Sequence, residues 1–465
     1  MTDGAVLAWE VQAGQFGRYI AGEAGDRRRD PGTNIKTSDN LLDDSKRRRV
    51  IEGGRELWRN YSVAAWAIRK HLDYVSTFNF QALTPRPRFN ERLEALMKWW
   101  ARPINLDVGS RHSLRRFMRL AEARRVIDGD VFVVKLRDGR VQAIEGDRVR
   151  NPDIQRRAME EEGWVHGLKI GNGGRVEQAS IHRRKRHGNY EEERKIQASR
   201  FWQLAYWDSF DQYRGVSPLV SSIASFQDSL EARDYALAKQ KVTQLFALAI
   251  TREMADQFED DDEEASDYKV DFGKGPLMLD LDPGDSASFL ESKHPSSEFQ
   301  SFLTLVLQMA LKALDIPWSM YDESYTNFFG SKAALQGYLT SCISKREDLK
   351  ELLGSMAGWR IAKWVSSGAL ALPRGWRVQD LEIDWVHAGQ PWWDTSKEVK
   401  GDLEAIDGLL TTRTEIRRTR FGDDWKAVMR KRKEEEEFLQ ELDLGDTRNS
   451  APEPDTRGDT DEQEA

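Results

Sequence analysis

His182 and His187 bracket the basic run Arg183-Arg184-Lys185-Arg186, and two imidazoles so placed are the first residues here that could do chemistry. They could ligate a metal, but a metal site needs three or four convergent ligands, and no further ones lie at ligand spacing nearby. Histidine in a charged run is ordinarily solvated surface, so no catalytic role is expected of either. Gly273-Lys274-Gly275 has the residue types of a phosphate loop. It lacks the spacing, and the following helix, that would aim backbone N–H groups at a phosphate. No H-E-x-x-H and no G-x-S-x-G elbow occurs. With 78 acidic residues, a neighbouring carboxylate pair carries no information about acid–base catalysis. Catalytic residues, a metal and a cofactor are all expected to be absent.

The elements that would have to position any site are numerous. A chain of 465 residues exceeds the size of one hydrophobic core, so several substructures are expected. Charged residues make up 32%, yet the net charge is only −8, which excludes the basic footprint of a tight nucleic-acid binder. The single cysteine, Cys342, excludes an internal disulfide framework and fits a reducing compartment. No stretch reaches the length of a membrane span, and the N-terminus has no signal-peptide core. Sixteen tryptophans suit extensive interfaces as well as a large core.

Along the chain, residues 1–50 carry arginine runs at 27–29 and 47–49 and read as an extended arm with a solvated basic face. Val50 to Phe80 has helical periodicity through Leu57, Ala64, Ile68, Leu72 and Val75. A shorter helix stops at Pro103, and a third runs from Ser113 to Gly129. Asp138-Gly139 sits between two β-rich runs, a strong hairpin signal, and the arrangement repeats around Gly171 to Gly174 before the strand Phe201-Trp202-Gln203-Leu204-Ala205. This part reads as α+β with a mainly antiparallel sheet. A long helix begins near Ser217 with Pro218 in its first turn, and Leu219, Ile223, Phe226, Leu230 and Leu237 follow a near-heptad spacing. An acidic run from Glu259 to Glu264 then interrupts two β-like ends.

The stretch from His294 to Gly358 reads as a helical hairpin with an overlong connection. Its first arm places Phe299, Phe302, Leu303, Val306, Met309, Ala310 and Ala313 on one apolar stripe, ended by Pro317. The second starts near Ser331 and passes Arg346 towards Trp364. A strand at 377–389, further helices and a polar acidic tail complete the chain.

In this order the elements resemble the portal proteins of tailed bacteriophages, specifically the lambda family. RELWRNYSVAAWAIRKHL (Arg55 to Leu72) is similar to a helix near the start of that family, and RGVSPL (Arg214 to Leu219) to the motif opening its long helix. The GDVFVVKL hairpin, the DRVRNP turn and GWVHGLKIGNGGRVEQASIHRR resemble its wing sheet. DPGDSASFLESKHPSSEFQSFLTLVLQMALKALDIPWSMYDESYTNFFGSKAAL is similar to its proline-glycine turn, stem helix and following loop, with Phe329-Gly330-Ser331 where the family has Tyr-Ser-Ser. PWWDTSKEVKGDLEAIDGLLTTRTEIRRTRFGDDWKAV resembles its terminal segment, and together the motifs extend from Arg55 to Leu444.

The resemblance implies an α+β portal fold. Residues 1–50 are then a flexible arm, 51–214 an α/β wing, 215–245 the first stem helix, 246–296 a small β-containing clip and 297–316 the second stem helix. Residues 317–331 form a tunnel loop, 332–390 a long wing helix and wing strand, 391–445 a helical crown and 446–465 a disordered tail. It implies a ring of twelve copies at one capsid vertex, assembled in the host cytoplasm and carried in the virion. The partners implied are double-stranded DNA without sequence specificity, the terminase large subunit, a head–tail adaptor, and the major capsid or scaffolding protein, with no membrane. DNA would face Tyr321, Asp322, Glu323, Ser324, Tyr325, Thr326, Asn327, Phe328 and Phe329; the alternative is that the aromatics among them pack between neighbouring loops. Leu219, Ile223, Phe226, Leu230, Phe299, Phe302 and Val306 would pack between subunits in the stem. A channel that lets DNA slide should hold phosphate weakly, which the negative net charge and Asp322-Glu323 suit. The competing readings are a capsid-assembly scaffold or interaction protein without a channel, and a nucleic-acid-processing enzyme; the second lacks ATPase and nuclease signatures.

Overall fold

The computed structural model describes residues 36–186, 188–245, 248–252, 285–289, 297–322, 328–387, 389 and 395–442. Helix α1 (Ser38–Leu41) is capped by the Thr37 hydroxyl, and α2 (Asp44–Asn60) by Asp43, whose carboxylate accepts from the Ser45 and Lys46 N–H groups. Helix therefore begins inside the stretch read as an extended arm, at Ser38 and again at Asp44, and buries Asp39 and Arg47 while most of residues 36–50 stay exposed. Arg47, expected on a solvated basic face, is 7% exposed and donates to the Gly215 carbonyl at 2.8 Å while pairing with Asp39 at 3.3 Å. Arg27 to Arg29 lie outside the described residues.

The chain breaks at Tyr61 before α3 (Ser62–Val75), and β1 (Phe78–Ala82) follows where the helical reading continued to Phe80. Then come α4 (Pro87–Trp100), with proline in its first turn, the single turn α5 (Pro103–Leu106), and α6 (Leu114–Asp128). Helix α6 runs between the expected Ser113 cap and Gly129, whose φ of +95° is costly for any residue with a Cβ. A Cβ on Gly129 would also stand 2.6 Å from the Gly215 carbonyl oxygen, so two backbones meet here with no room for a side chain.

Strands β2 (Asp130–Lys135) and β3 (Val141–Glu145) form the expected hairpin across Asp138-Gly139. After the short helix α7 (Arg156–Glu161) come β4 (Trp164–Val165), β5 (Leu168–Ile170), β6 (Val176–Arg184), β7 (Tyr190–Gln197) and β8 (Phe201–Ala205). One antiparallel sheet has the order β3-β2-β8 and the other β4-β5-β6-β7. Strand β2 is buried on both faces: Val131 and Val133 enter the large helical core, while Phe132 and Val134 enter a second core between the sheets. The two-residue period of a strand makes β2 the partition between them. His182 on β6, read as surface, is 2% exposed; His187 lies outside the described residues.

The Ser217 hydroxyl caps a 3-10 turn at Pro218–Ser221, and only then does α8 (Ile223–Leu245) begin. Strands β9 (Leu248–Arg252) and β10 (Asp285–Phe289) pair antiparallel. Between them lie residues 253–284, including the acidic run and Gly273-Lys274-Gly275, outside the described residues. Helix α9 (Ser297–Leu311) stops before Pro317, through a 3-10 turn and Asp315 at φ +61°. Helix α10 (Phe328–Ser366) spans 39 residues. The expected hairpin of these two arms is not the pairing seen. Helix α9 packs against α8, while α10 packs against α3, β8 and the strand β11 (Ile383–His387), which pairs with β1. Helices α11 (Thr395–Asp407), α12 (Arg413–Phe421) and α13 (Trp425–Glu441) close the described chain. No helix among the described residues is long and apolar enough to cross a membrane.

Candidate functional site

Helices α8 and α9 form a two-rod unit rooted on α2 and α3. Phe226 of α8 and Ala310 of α9, 2% and 1% exposed, join Leu57 and Ala64 in a small core that fixes the rods to the body. Leu219 is 1% exposed and belongs to the large core. Leu219 and Phe226, expected between subunits, thus pack inside their own subunit, because a side chain already sealed from solvent has no surface to offer a neighbour. Ile223, Leu230, Phe299 and Val306 are half-buried, and Phe302 is exposed.

The apolar residues of α9 do not form one stripe. Leu303, Leu307 and Ala310 turn inward, whereas Phe302, Leu305 and Met309 stand more than half exposed on the other side. From Phe299 to Leu311 the helix carries no charge, and its exposed Phe302, Leu305 and Met309 have only the uncharged Gln300 and Ser301 for exposed polar company. Helix α8 supplies exposed Tyr235 and Leu237 and the charges Asp228, Glu231, Arg233 and Asp234. Sequence periodicity detects that α9 is amphipathic; it misses Leu305, Tyr235 and the two-sidedness, because a helix apolar on opposite faces has a weak net direction.

Beyond α9 the chain is pinned at Tyr321. Tyr321 sits edge-on to Trp66, with ring centroids 5.5 Å apart, and against Trp318 at 4.8 Å. The Asp322 N–H donates to the Trp318 carbonyl. Tyr321 is therefore an anchor of the loop on its own subunit. Glu323, Ser324, Tyr325, Thr326 and Asn327 lie outside the described residues, and Phe328 and Phe329 form the first turn of α10 rather than part of the loop.

Helix α10 is clamped where it passes the body. Lys345 pairs with Asp315 at 2.8 Å, and Arg346 donates twice to the Tyr74 carbonyl. Arg125 on α6 reaches Asp348 at 2.5 Å and the Lys345 carbonyl, lies over the Tyr206 ring, and pairs with Glu122, which also meets His71 at 2.8 Å. Burial alone would raise the Glu122 pKa, but Arg125 and then His71 outweigh it and hold the carboxylate at about 2, below its ordinary 4.5. The sign follows: the unfolded carboxyl binds its proton first, so stability present above pH 4.5 is lost as pH falls towards 2. Burial pushes His71 below 6.5, so loss begins earlier, as the unfolded imidazole takes a proton that the folded one refuses. We expect Glu122→Gln to flatten the acid limb by ~3 kcal/mol between pH 5 and 2, read as urea stability against pH. An acid limb of unchanged slope would place the sensitivity elsewhere.

A family model described as phage portal protein, lambda family, matches residues 30–341. No curated protein matches the chain. Among solved structures, the chain is similar to one from the virion of a native gene transfer agent particle, at 12% identity and a TM-score of 0.42 over 79% of this chain and 92% of that one. Another comes from the neck of an empty gene transfer agent particle computed with C6 symmetry, at 14% identity and 0.43 over 78% and 92%. The family match alone spans well over half of the sequence, from before α1, through the rods and the pinned loop, into α10. The chain belongs to the lambda family of phage portal proteins.

Proposed function

We propose that the protein is the head–tail connector of a phage-like particle: a ring of twelve copies walling a channel at one capsid vertex, through which double-stranded DNA is packaged, retained and ejected. The observation that carries this is the uncharged apolar strip Phe302, Leu305 and Met309, left open by a rod that is otherwise firmly rooted. In a closed ring each rod has a neighbour on both sides, so a heterologous contact buries such a strip in every copy. In this reading residues 51–214 with the α2 start form the wing, α8 and α9 the stem, β9–β10 and the segment between them the clip, and α11–α13 the crown. The clip meets the terminase large subunit and later a head–tail adaptor; the wing contacts the major capsid or scaffolding protein. Residues 322–327 serve as the tunnel loop, which touches DNA by bulk and hydrogen bonding without reading bases.

Negative-stain images of the purified protein are expected to show rings with a central opening; a stable monomer at high concentration would defeat the proposal. Removing 323–327 leaves the Trp318 and Tyr321 anchors in place. Rings should still form while packaged DNA per particle drops several-fold. Normal packaging without those residues would remove the loop from the mechanism, and a non-channel assembly protein would then fit better.

A further inference from the structure

His182 is the unexplained polar group of the sheet. It is 2% exposed, and neither ring nitrogen makes a hydrogen bond. An imidazole buried in this way forfeits hydrogen bonds it would make in water, a cost of about 1–3 kcal/mol. Two carboxylates converge on it from separate parts of the chain. Glu192 stands opposite it on β7, beside the register shift between Ile181 and His182. Asp153 comes from the turn after the 3-10 segment Gly146–Arg148, and its Oδ1 lies 3.9 Å from His182 Nε2. One ligand atom from each of the three can be chosen so that all lie within 4.8 Å of one another.

We propose that Asp153, His182 and Glu192 form a binding site for a divalent transition-metal ion of the zinc or manganese class, which ties the 151–153 turn to the β6–β7 hairpin. One imidazole and two carboxylates are a mixed nitrogen–oxygen set suited to such an ion, with water completing the shell on the exposed Asp153 side. Donors about 2.1 Å from one metal stand roughly 3.4 Å apart, so the side chains need close by at most about 1.4 Å. Glu192 already orders the turn, since one oxygen accepts the Asp153 N–H at 3.2 Å. Its other oxygen faces Lys195 at 3.7 Å, a contact an ion readily replaces.

A second carboxylate group, Asp128, Glu145 and Asp147, makes the contrast. Its charge is neutralised by Arg55, Arg124 and Arg184, with Tyr190 donating to Asp147. Guanidinium occupies the place an ion would take there. Among the described residues no guanidinium hydrogen-bonds to the His182 ring; Arg148 donates to the His182 backbone carbonyl and pairs with Glu193.

The test titrates the full-length protein with Co2+ and Zn2+ chlorides after chelator treatment. The wild type should take up one ion per chain with a cobalt visible spectrum that includes a nitrogen ligand, and zinc should raise the melting temperature reversibly with chelator. Asp153→Asn, at an exposed side chain, should fold normally and bind at least tenfold more weakly, as should Glu192→Gln; His182→Ala should lose the cobalt band. Uptake that is undetectable, or equal in wild type and Asp153→Asn, overturns the proposal. If His182→Ala does not fold, the two carboxylate variants decide it alone.

Discussion

Arg214→Ala is expected to cost 3–5 kcal/mol and leave most of the protein unfolded or insoluble at growth temperature. Arg214 is fully buried and spends all five guanidinium hydrogens. Nε and Nη2 grip both oxygens of Asp130 at 2.5 and 2.9 Å; Nη1 donates to the Val149 and His166 carbonyls, and Nη2 also to Gly146 at 2.7 Å. One side chain thus fastens the start of β2, the end of the β2–β3 hairpin and the turn before β5. Alanine would strand the Asp130 carboxylate in the interior beside the Val149 and His166 carbonyls, which lose their Arg214 donors, leaving the carboxylate only the weaker Gln203 and Gly215 N–H contacts; the Gly146 carbonyl keeps the Val149 N–H. Lysine cannot substitute, because an ammonium offers three donors at a point rather than a planar fork. Urea unfolding followed by near-ultraviolet circular dichroism measures the loss. Arg214→Ala combined with Asp130→Ala should cost less than the two single changes added, since the orphaned charge is gone. A single-variant loss below about 1 kcal/mol would mean that the surrounding carbonyls find other partners.

That network marks where sequence reading succeeds and where it stops. Arg214 stands in the RGVSPL motif and was legible as a landmark, but its burial was not, since a charged residue counts as surface in any hydropathy pattern. Arg47 failed for the same reason: its carbonyl partner, on Gly215, is 168 residues away. Local chemistry read well. The Asp138-Gly139 turn and the Ser113 and Gly129 ends of α6 depend on neighbours in sequence, and the structure has them where expected. Strand β7 was invisible because YEEERKIQ buries only Ile196; an edge strand with charges on both faces has no period-two signal. Helix partners were legible only through the family resemblance, which set 215–245 and 297–316 together as stem helices. Periodicity says that α9 has an apolar face, not that α8, about fifty residues earlier, covers it rather than α10. The convergence of Asp153 and Glu192 on His182 is the same kind of fact, created by strand register and absent from any spacing rule.

The rods lead to the second large effect. Phe302→Asp with Met309→Asp is expected to abolish ring assembly while leaving the subunit folded. Both side chains are more than half exposed, so the change removes little from the subunit's own core. Between subunits the balance differs. Burying each of these side chains is worth about 1.5–3 kcal/mol, and the variant forfeits that and must also desolvate two carboxylates. A closed ring repeats the loss at every contact, so a penalty that would merely weaken a dimer removes the ring altogether. Light scattering after size exclusion should report monomers, with the circular dichroism and urea midpoint of the wild type. Phe226→Ala gives the opposite signature. It hollows the joint between α8, Leu57 and Ala64, costs 3–5 kcal/mol of subunit stability, and disturbs assembly only through that loss. Should the double aspartate variant still form rings, the apolar strip on α9 faces the lumen or solvent, and the subunit contact must be sought on the charged side of α8.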